Sequence, residues 1–180
     1  MIRIANNTDV KQIFMCQSNT YSDNFIESEI VIENIINHNL SLVYELNNKI
    51  IAYLLGHHSI KNHIYKLNNI HNIDKIDNID NTDKSDLIYY IHDLCILKEY
   101  QKQNIGTQMV EYLYKSNNNH FNKNCLFKEI MGYQLISLEH AVKFWQRMGF
   151  TISRTIILSD SMKQAYGDKS EFMESILKKN

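Results

Sequence analysis

Residues Tyr89 to Tyr112, reading YYIHDLCILKEYQKQNIGTQMVEY, hold the densest chemistry in the chain. An apolar strand carrying His92 and Asp93 runs into a short polar turn at 98–104, and an amphipathic helix follows with Gly106 at its mouth. The amides of residues 102–107 have no partners within that helix, and the aligned peptide dipoles add partial positive charge. A strand feeding a helix in this way makes an anion site of pyrophosphate size. Nothing else in the chain looks like a phosphate site or a metal cage. His57, His58, His63 and His71 lack zinc spacing, and Asp74-x-x-Asp77-x-x-Asp80-x-x-Asp83 lacks the spacing, glycine and closing glutamate of a calcium loop. No metal is expected.

The elements that must position this turn follow from periodicity. Met1–Ile4 reads as an edge strand, and Asn7 or Thr8 caps a helix over 8–18. Isoleucines at 26, 30, 32, 35 and 36 give a second helix over 26–38 a wide apolar face. Leu40–Glu45 and Lys49–His57 form a hairpin about Asn47-Asn48, a pair able to adopt positive φ. Residues 60–86 are Asn/Asp-rich and nearly repetitive, and read as a long low-complexity loop inserted in one domain. Then come a strand over 87–97, a helix over 105–117, a polar loop over 117–123, and a strand over 127–137. A helix over 138–148 stops at Gly149, and Phe150–Leu158 and Ser170–Leu177 read as strands around a loop at 159–168. The expected order is βααβββαβαββ, a single mixed α/β domain over 1–180.

Bulk composition narrows the classes of function. The chain has 180 residues, enough for one domain with a sizeable core. Its 19 basic and 20 acidic residues give a net charge of -1, which removes the simplest reason to expect nucleic acid or an acidic membrane as partner. Three scattered cysteines without CxxC spacing point to free thiols in a reducing compartment. The N-terminal segment has no signal-peptide pattern, and no apolar run approaches the roughly 20 residues that span a bilayer. The expectation is a soluble cytoplasmic protein, with nuclear residence left open. Proline is absent, while asparagine, isoleucine, lysine and tyrosine are heavily used. An A/T-rich genome explains that bias, which carries no functional weight.

The turn resembles the signature of the GNAT (GCN5-related) N-acetyltransferases, Val-x-Pro-x-Tyr-Arg-x-x-Gly-x-Gly, which closes the fourth strand and opens the third helix. Here it stands as Ile96-Leu97-Lys98-Glu99-Tyr100-Gln101-Lys102-Gln103-Asn104-Ile105-Gly106. Gln101 stands for the arginine, with Lys98 or Lys102 able to supply the missing charge. Asn104 replaces the first glycine and is the residue type, after glycine, most tolerant of positive φ. A second run, Leu138-Glu139-His140-Ala141-Val142-Lys143-Phe144-Trp145-Gln146-Arg147-Met148-Gly149-Phe150, resembles the family's Asn-x-x-Ala-x-x-Phe-Tyr-x-x-x-Gly-Phe helix. Leu138 takes the asparagine position and Trp145 that of a tyrosine which, in many members, protonates the departing CoA thiolate. An indole N–H is too weak an acid to substitute fully. Tyr90–Leu94, Phe144-Trp145, Tyr166-Gly167 and Phe172-Met173 are similar to one bacterial-type branch of the family.

The resemblance implies the GNAT fold, a mixed sheet of six to seven strands with helices on both faces. It implies acetyl-CoA as co-substrate, with backbone groups of Leu94, Cys95 and Ile96 pairing with the pantetheine arm. The pyrophosphate would lie on Gln101, Lys102, Gln103, Asn104, Ile105, Gly106 and Thr107. His92 and Asp93 are the candidate bases, and strand alternation lets only one face the cleft unless a bulge intervenes. The blander readings are a satisfied core histidine and a turn-capping aspartate. Tyr166 is a candidate acid, although Tyr166-Gly167 also reads as a plain turn. Tyr133 and Trp145 read most simply as core, and Cys95 is a poor nucleophile because an apolar strand raises thiol pKa. The expected activity is acetyl transfer to a primary amine of a small molecule or protein, by direct attack. A CoA-binding regulatory or interaction module with little catalysis is the alternative. Acetyl-CoA and an amine acceptor are the expected partners, and a homodimer is compatible with the sequence.

Overall fold

The computed structural model describes residues 1–22, 25–37, 41–65, 87–120 and 130–176. The elements are β1 (Ile2–Ile4), α1 (Val10–Ser18), α2 (Glu29–Asn37), β2 (Leu42–Leu46), β3 (Lys49–Ile60) and β4 (Leu87–Ile96), followed by α3 (Ile105–His120), β5 (Gly132–Ser137), α4 (Val142–Arg147), β6 (Thr151–Ile152), α5 (Asp160–Tyr166) and β7 (Glu171–Ile176). The strands form a seven-stranded mixed sheet in the order β1-β2-β3-β4-β5-β7-β6. Neighbours are antiparallel except for β4 and β5. The mixed α/β class expected from periodicity is the class observed.

Local chemistry sets where the elements begin. Asn6, not Asn7 or Thr8, starts the first helical segment. Its side chain accepts the Thr8 amide at 2.9 Å while Asp9 accepts the Asn6 amide at 2.9 Å, a reciprocal cap. Arg3 reaches both oxygens of Asp9, at 2.7 and 2.8 Å, and so ties β1 to this corner. The second helix starts at Glu29, not 26, because Ser28 caps it through the amides of Val31 and Ile32. Glu27 is therefore left outside α2. The hairpin forms as expected: Asn47 and Asn48 have φ of 51° and 59°, and Leu46 pairs with Lys49 across them.

Five further expectations need correction. Phe150–Leu158 is not a long strand, since only Thr151 and Ile152 pair with β7. Ser153 Oγ accepts the Thr155 amide at 3.4 Å, and this local turn competes with the ladder. Residues 160–166, expected as loop, form α5, because Ser159 caps the Met162 amide and Gly167, at φ 98°, ends the helix. The order is thus βααβββαβαβαβ. The third helix continues past 117 to His120, and β5 begins at Gly132 rather than 127. Finally, the return strand runs to Ile60, and in the turn and irregular chain that follow it Tyr65 is only 3 % exposed; residues 66–86 of the expected insert, like 121–129, lie outside the described residues.

The core lies against the central strands. Every residue of β3 from Ile50 to Ser59 is buried, as are Leu87–Ile91 of β4. Ile13 of α1, Ile32 and Ile35 of α2, and Met109, Val110 and Leu113 of α3 are each at or near zero exposure. Burial of this kind stabilises by about 1.5–3 kcal/mol per large aliphatic side chain. It anchors the first half of β4, the strand that carries His92 and Asp93, in the core.

Candidate active site

A bulge in β4 builds the site. Leu55 of β3 pairs with Asp93, but the next residue, Gly56, pairs with Ile91, so His92 has no partner across β3. The extra residue breaks the alternation that would send His92 and Asp93 to opposite faces. Both meet the segment between α1 and α2. His92 Nε2 lies 3.8 Å from Glu27 Oε1, each side chain 2 % exposed. Asp93 Oδ1 accepts the Tyr21 hydroxyl at 2.9 Å, and Oδ2 accepts the Tyr53 hydroxyl in a short hydrogen bond. Tyr21 also reaches the Leu94 carbonyl at 3.1 Å. Glu27 is held at its backbone by Gln17, whose amide donates to the Glu27 carbonyl at 2.5 Å and whose oxygen accepts the Glu27 N–H at 3.2 Å.

Burial sets the protonation states. It pushes the Asp93 carboxyl up to about 6, against the hydrogen bonds from Tyr53 and Tyr21 that favour the charged form. The same burial lowers the His92 pKa, so His92 is a neutral imidazole near neutral pH and its contact with Glu27 is not an ion pair. The Tyr21 and Tyr53 hydroxyls are raised well above 10, first by burial and then by the Asp93 charge. The set therefore places a carboxyl that burial raises towards physiological pH beside a neutral imidazole, two groups able to exchange protons. An aromatic wall backs it. Tyr90 and His57 lie 6.0 and 6.1 Å from the His92 ring, and Tyr65 packs at a tilt against Tyr90 at 4.9 Å.

Beyond the bulge the sheet opens. β4 and β5 pair in parallel only at Tyr89–Tyr133, Tyr90–Gln134 and Ile91–Leu135. Leu94, Cys95 and Ile96 go on with β3 alone, while Ile136 and Ser137 go on with β7 alone. Among the described residues, the β5-facing edge of β4 thus has no strand partner after Ile91. The edge leads into a single turn at Lys98–Tyr100 and then to exposed Gln101, Lys102, Gln103 and Asn104. Lys102 and Asn104 have φ of 61° and 64°. Asn104 thus adopts the left-handed conformation its place in the motif demands, and α3 opens at Ile105 with the Asn104 carbonyl accepting the Gln108 amide at 3.1 Å. A Cβ on Gly106 would meet the Phe144 ring at 3.2 Å and Ile96 Cδ1 at 3.4 Å. Gly106 therefore also serves the close approach of α3 to Phe144. Thr107, in the same first turn of α3, is half-buried.

The left-handed residue yields a prediction. Asn104→Val forces a β-branched side chain into positive φ, costing about 1–3 kcal/mol, whereas Asn104→Gly relieves what strain there is. Calorimetric titration with CoA should show about tenfold or greater weakening for Asn104→Val and unchanged or tighter binding for Asn104→Gly.

The remaining sequence candidates sort clearly. Tyr166 closes α5, and its hydroxyl donates to the Tyr65 carbonyl at 3.1 Å, so it braces the aromatic wall instead of joining His92 and Asp93. Trp145 is 6 % exposed and packs edge-on against Phe144 and Phe150, at 5.0 and 5.2 Å. Tyr133 is core, against Tyr114 and Tyr89. The Cys95 thiol lies 4.0 Å from that of Cys16; this contact, with burial, pushes its pKa up and makes it a poor nucleophile. Three members escaped the sequence reading: Glu27, Tyr21 and Tyr53. Ser28 followed by an apolar-periodic run was the one available signal, since a cap there leaves Glu27 free of the helix. Among the described residues no three His, Cys, Asp or Glu are arranged to hold a metal ion, and no helix is long and apolar enough to cross a membrane.

A mixed sheet whose parallel strands part ahead of a strand–turn–helix, with acid–base groups at a bulge beside the gap, defines an acyltransferase fold. The family described as Acetyltransferase (GNAT) domain matches residues 37–152, and the chain belongs to it. No curated protein matches the chain in sequence. Among solved structures, the GphF GNAT-like decarboxylase in complex with isobutyryl-CoA is similar at a TM-score of 0.72 and 11 % identity, over 99 % of this chain and 100 % of that one. The loading GNATL domain of CurA from Lyngbya majuscula follows at 0.70 and 12 %, covering 98 % and 96 %. Arabidopsis thaliana Naa50, in complex with the bisubstrate analogue CoA-Ac-MVNAL, gives 0.64 and 11 %, covering 98 % of both chains.

Proposed function

We propose that this protein transfers the acetyl group of acetyl-CoA to a primary amine of a small molecule or protein by direct attack. The observation that carries the reading is the β4 bulge, which sets Asp93, His92 and Glu27 beside the stretch where β4 has parted from β5. Acetyl-CoA supplies an activated thioester. The open edge at Leu94, Cys95 and Ile96 fits an arm that pairs like a strand, and the amides from Gln101 to Thr107, with Lys98 and Lys102 nearby, fit a pyrophosphate. Family membership and the CoA ligands of the solved relatives support the same reading.

The chain's own residues then have separate tasks. A strand N–H facing the gap polarises the acyl carbonyl. Asp93, ionised near neutral pH, takes the proton that the attacking amine must lose, with His92 as the neutral imidazole able to pass it on. Trp145, committed to the core, takes no part in proton transfer. The acceptor is limited to an amine small or extended enough to reach a buried acid–base set.

The test is release of CoA thiol from acetyl-CoA with the purified chain, across a panel of benzylamine, spermidine, lysine and a peptide with a free α-amino group. Turnover with at least one amine, and CoA binding by calorimetry, are expected. Binding without turnover would leave a CoA-binding module in place of the enzyme, and absence of both would overturn the reading.

A further inference from the structure

Asp93 is gripped at both of its oxygens by phenols from different parts of the fold. Tyr53 projects from β3, where its backbone pairs with Cys95, and its hydroxyl donates to Oδ2. Tyr21 follows α1, held there by its own amide donating to the Gln17 carbonyl at 2.8 Å, and its hydroxyl donates to Oδ1. One lone pair on each oxygen is thereby spent, which fixes the plane of the carboxylate and leaves the others to receive a proton. Gln17, in the last turn of α1, also holds the Glu27 backbone, so the residue that anchors the Tyr21 amide aligns Glu27 as well.

We propose that Tyr21 and Tyr53 are positioning residues that clamp Asp93 in its ionised, aimed state, and that this clamp sets the lower pH limit of catalysis. The assignment rests on the proposed acetyl transfer. Neither phenol exchanges a proton in the reaction. A hydrogen bond given to a charged acid favours the charged form, so removing either hydroxyl must drive the Asp93 pKa upward. The groups facing Asp93 are Tyr21 beyond α1, Tyr53 on β3, His92 and Cys95 on β4, and Glu27 before α2. None of them is a cation near neutral pH, so no charge compensates for a lost phenol. Tyr53 is fully buried and Tyr21 half-buried, which makes Tyr53→Phe the more disruptive change and Tyr21→Phe the cleaner one.

Two readouts test the clamp. Side-chain carboxyl NMR on the full chain with ¹³C-labelled aspartate, assigned with Asp93→Asn, should show one aspartate titrating near 6. Tyr21→Phe and Tyr53→Phe should each raise it by about one unit, a tenfold change in protonation. With the amine that the wild-type chain acetylates fastest in the panel above, the acid limb of kcat/KM should move up by the same amount. Activity should fall about tenfold below the limb and recover at alkaline pH. A merely structural loss would depress the rate at every pH and would not recover. Unmoved resonances in both variants would overturn the clamp. A moved resonance with an unmoved limb would overturn its role in catalysis while leaving the acetyl-transfer reading intact. If the wild-type chain acetylates no amine, that reading falls and the positioning role falls with it.

Discussion

An Asp93→Asn variant should lose about 10²–10⁴-fold in acetyl transfer, the range associated with removal of a general base, yet unfold less readily at neutral pH than the parent. The second half follows from linkage. Burial raises the Asp93 carboxyl from 3.8 to about 6 in the folded chain. A carboxyl raised by folding contributes stability that is fully present below its unfolded pKa and lost as pH rises through the folded one. Between about pH 4 and pH 7 this one group therefore withdraws about 3 kcal/mol from the fold, two units at 1.36 kcal/mol each. Asparagine has the same shape and no charge to bury, and the phenol that faces its NH2 group can turn to accept instead of donate. Urea denaturation across that range should show the stability difference between variant and parent growing with pH in the variant's favour. A flat difference would mean that Asp93 does not carry the raised pKa, and its role as the base would fall with it. The cost is the one active sites characteristically bear when a charge is held where solvation is poor.

Gly106→Glu is expected to weaken CoA binding by about a hundredfold. A new carboxylate within about 5 Å of a diphosphate costs about 3 kcal/mol at an effective dielectric near 20. The side chain has a second effect, because a Cβ at this position already meets Phe144 and Ile96 at 3.2 and 3.4 Å. Gly106→Ala isolates that effect, since it brings the Cβ without the charge, and the Phe144 ring has to give by only a few tenths of an ångström. Calorimetry should find Gly106→Ala within a few-fold of the parent and Gly106→Glu far weaker. Equal losses in the two variants would assign Gly106 to helix packing and remove the anion site from the argument.

How much of this was legible in the residues differs by region. The turn at 98–104 was readable because its chemistry is local: an apolar strand, a polar turn, an asparagine where positive φ is needed and a glycine at the helix mouth. The Asn47-Asn48 hairpin was readable for the same reason. The acid–base set was only half readable. His92 and Asp93 are visible as titratable groups in an apolar strand, but the bulge that turns both towards one segment depends on the register with Leu55 and Gly56, and register is a property of two strands. Tyr21, Glu27 and Tyr53 reach Asp93 and His92 over tens of residues of sequence, so no periodicity could connect them. Tyr166 reads as a candidate acid or a turn residue, the latter because Gly167 and Asp168 carry turn chemistry. The capping Ser159 seven residues earlier was the stronger signal, and it makes the glycine a helix terminator.

The three-residue pairing between β4 and β5 has a mechanical consequence. β1 to β4 form one panel of antiparallel ladders, and β5, β7 and β6 form another. The two are stitched by Tyr89, Tyr90 and Ile91 and by the Met131 amide donating to the Leu87 carbonyl at 2.7 Å. The sheet is thus two plates whose backbone hydrogen bonding to each other is carried at one end only. Any extended molecule lying in the open end would add rungs to both plates and lengthen the seam. Occupancy would then carry backbone hydrogen bonding along the full length of the gap.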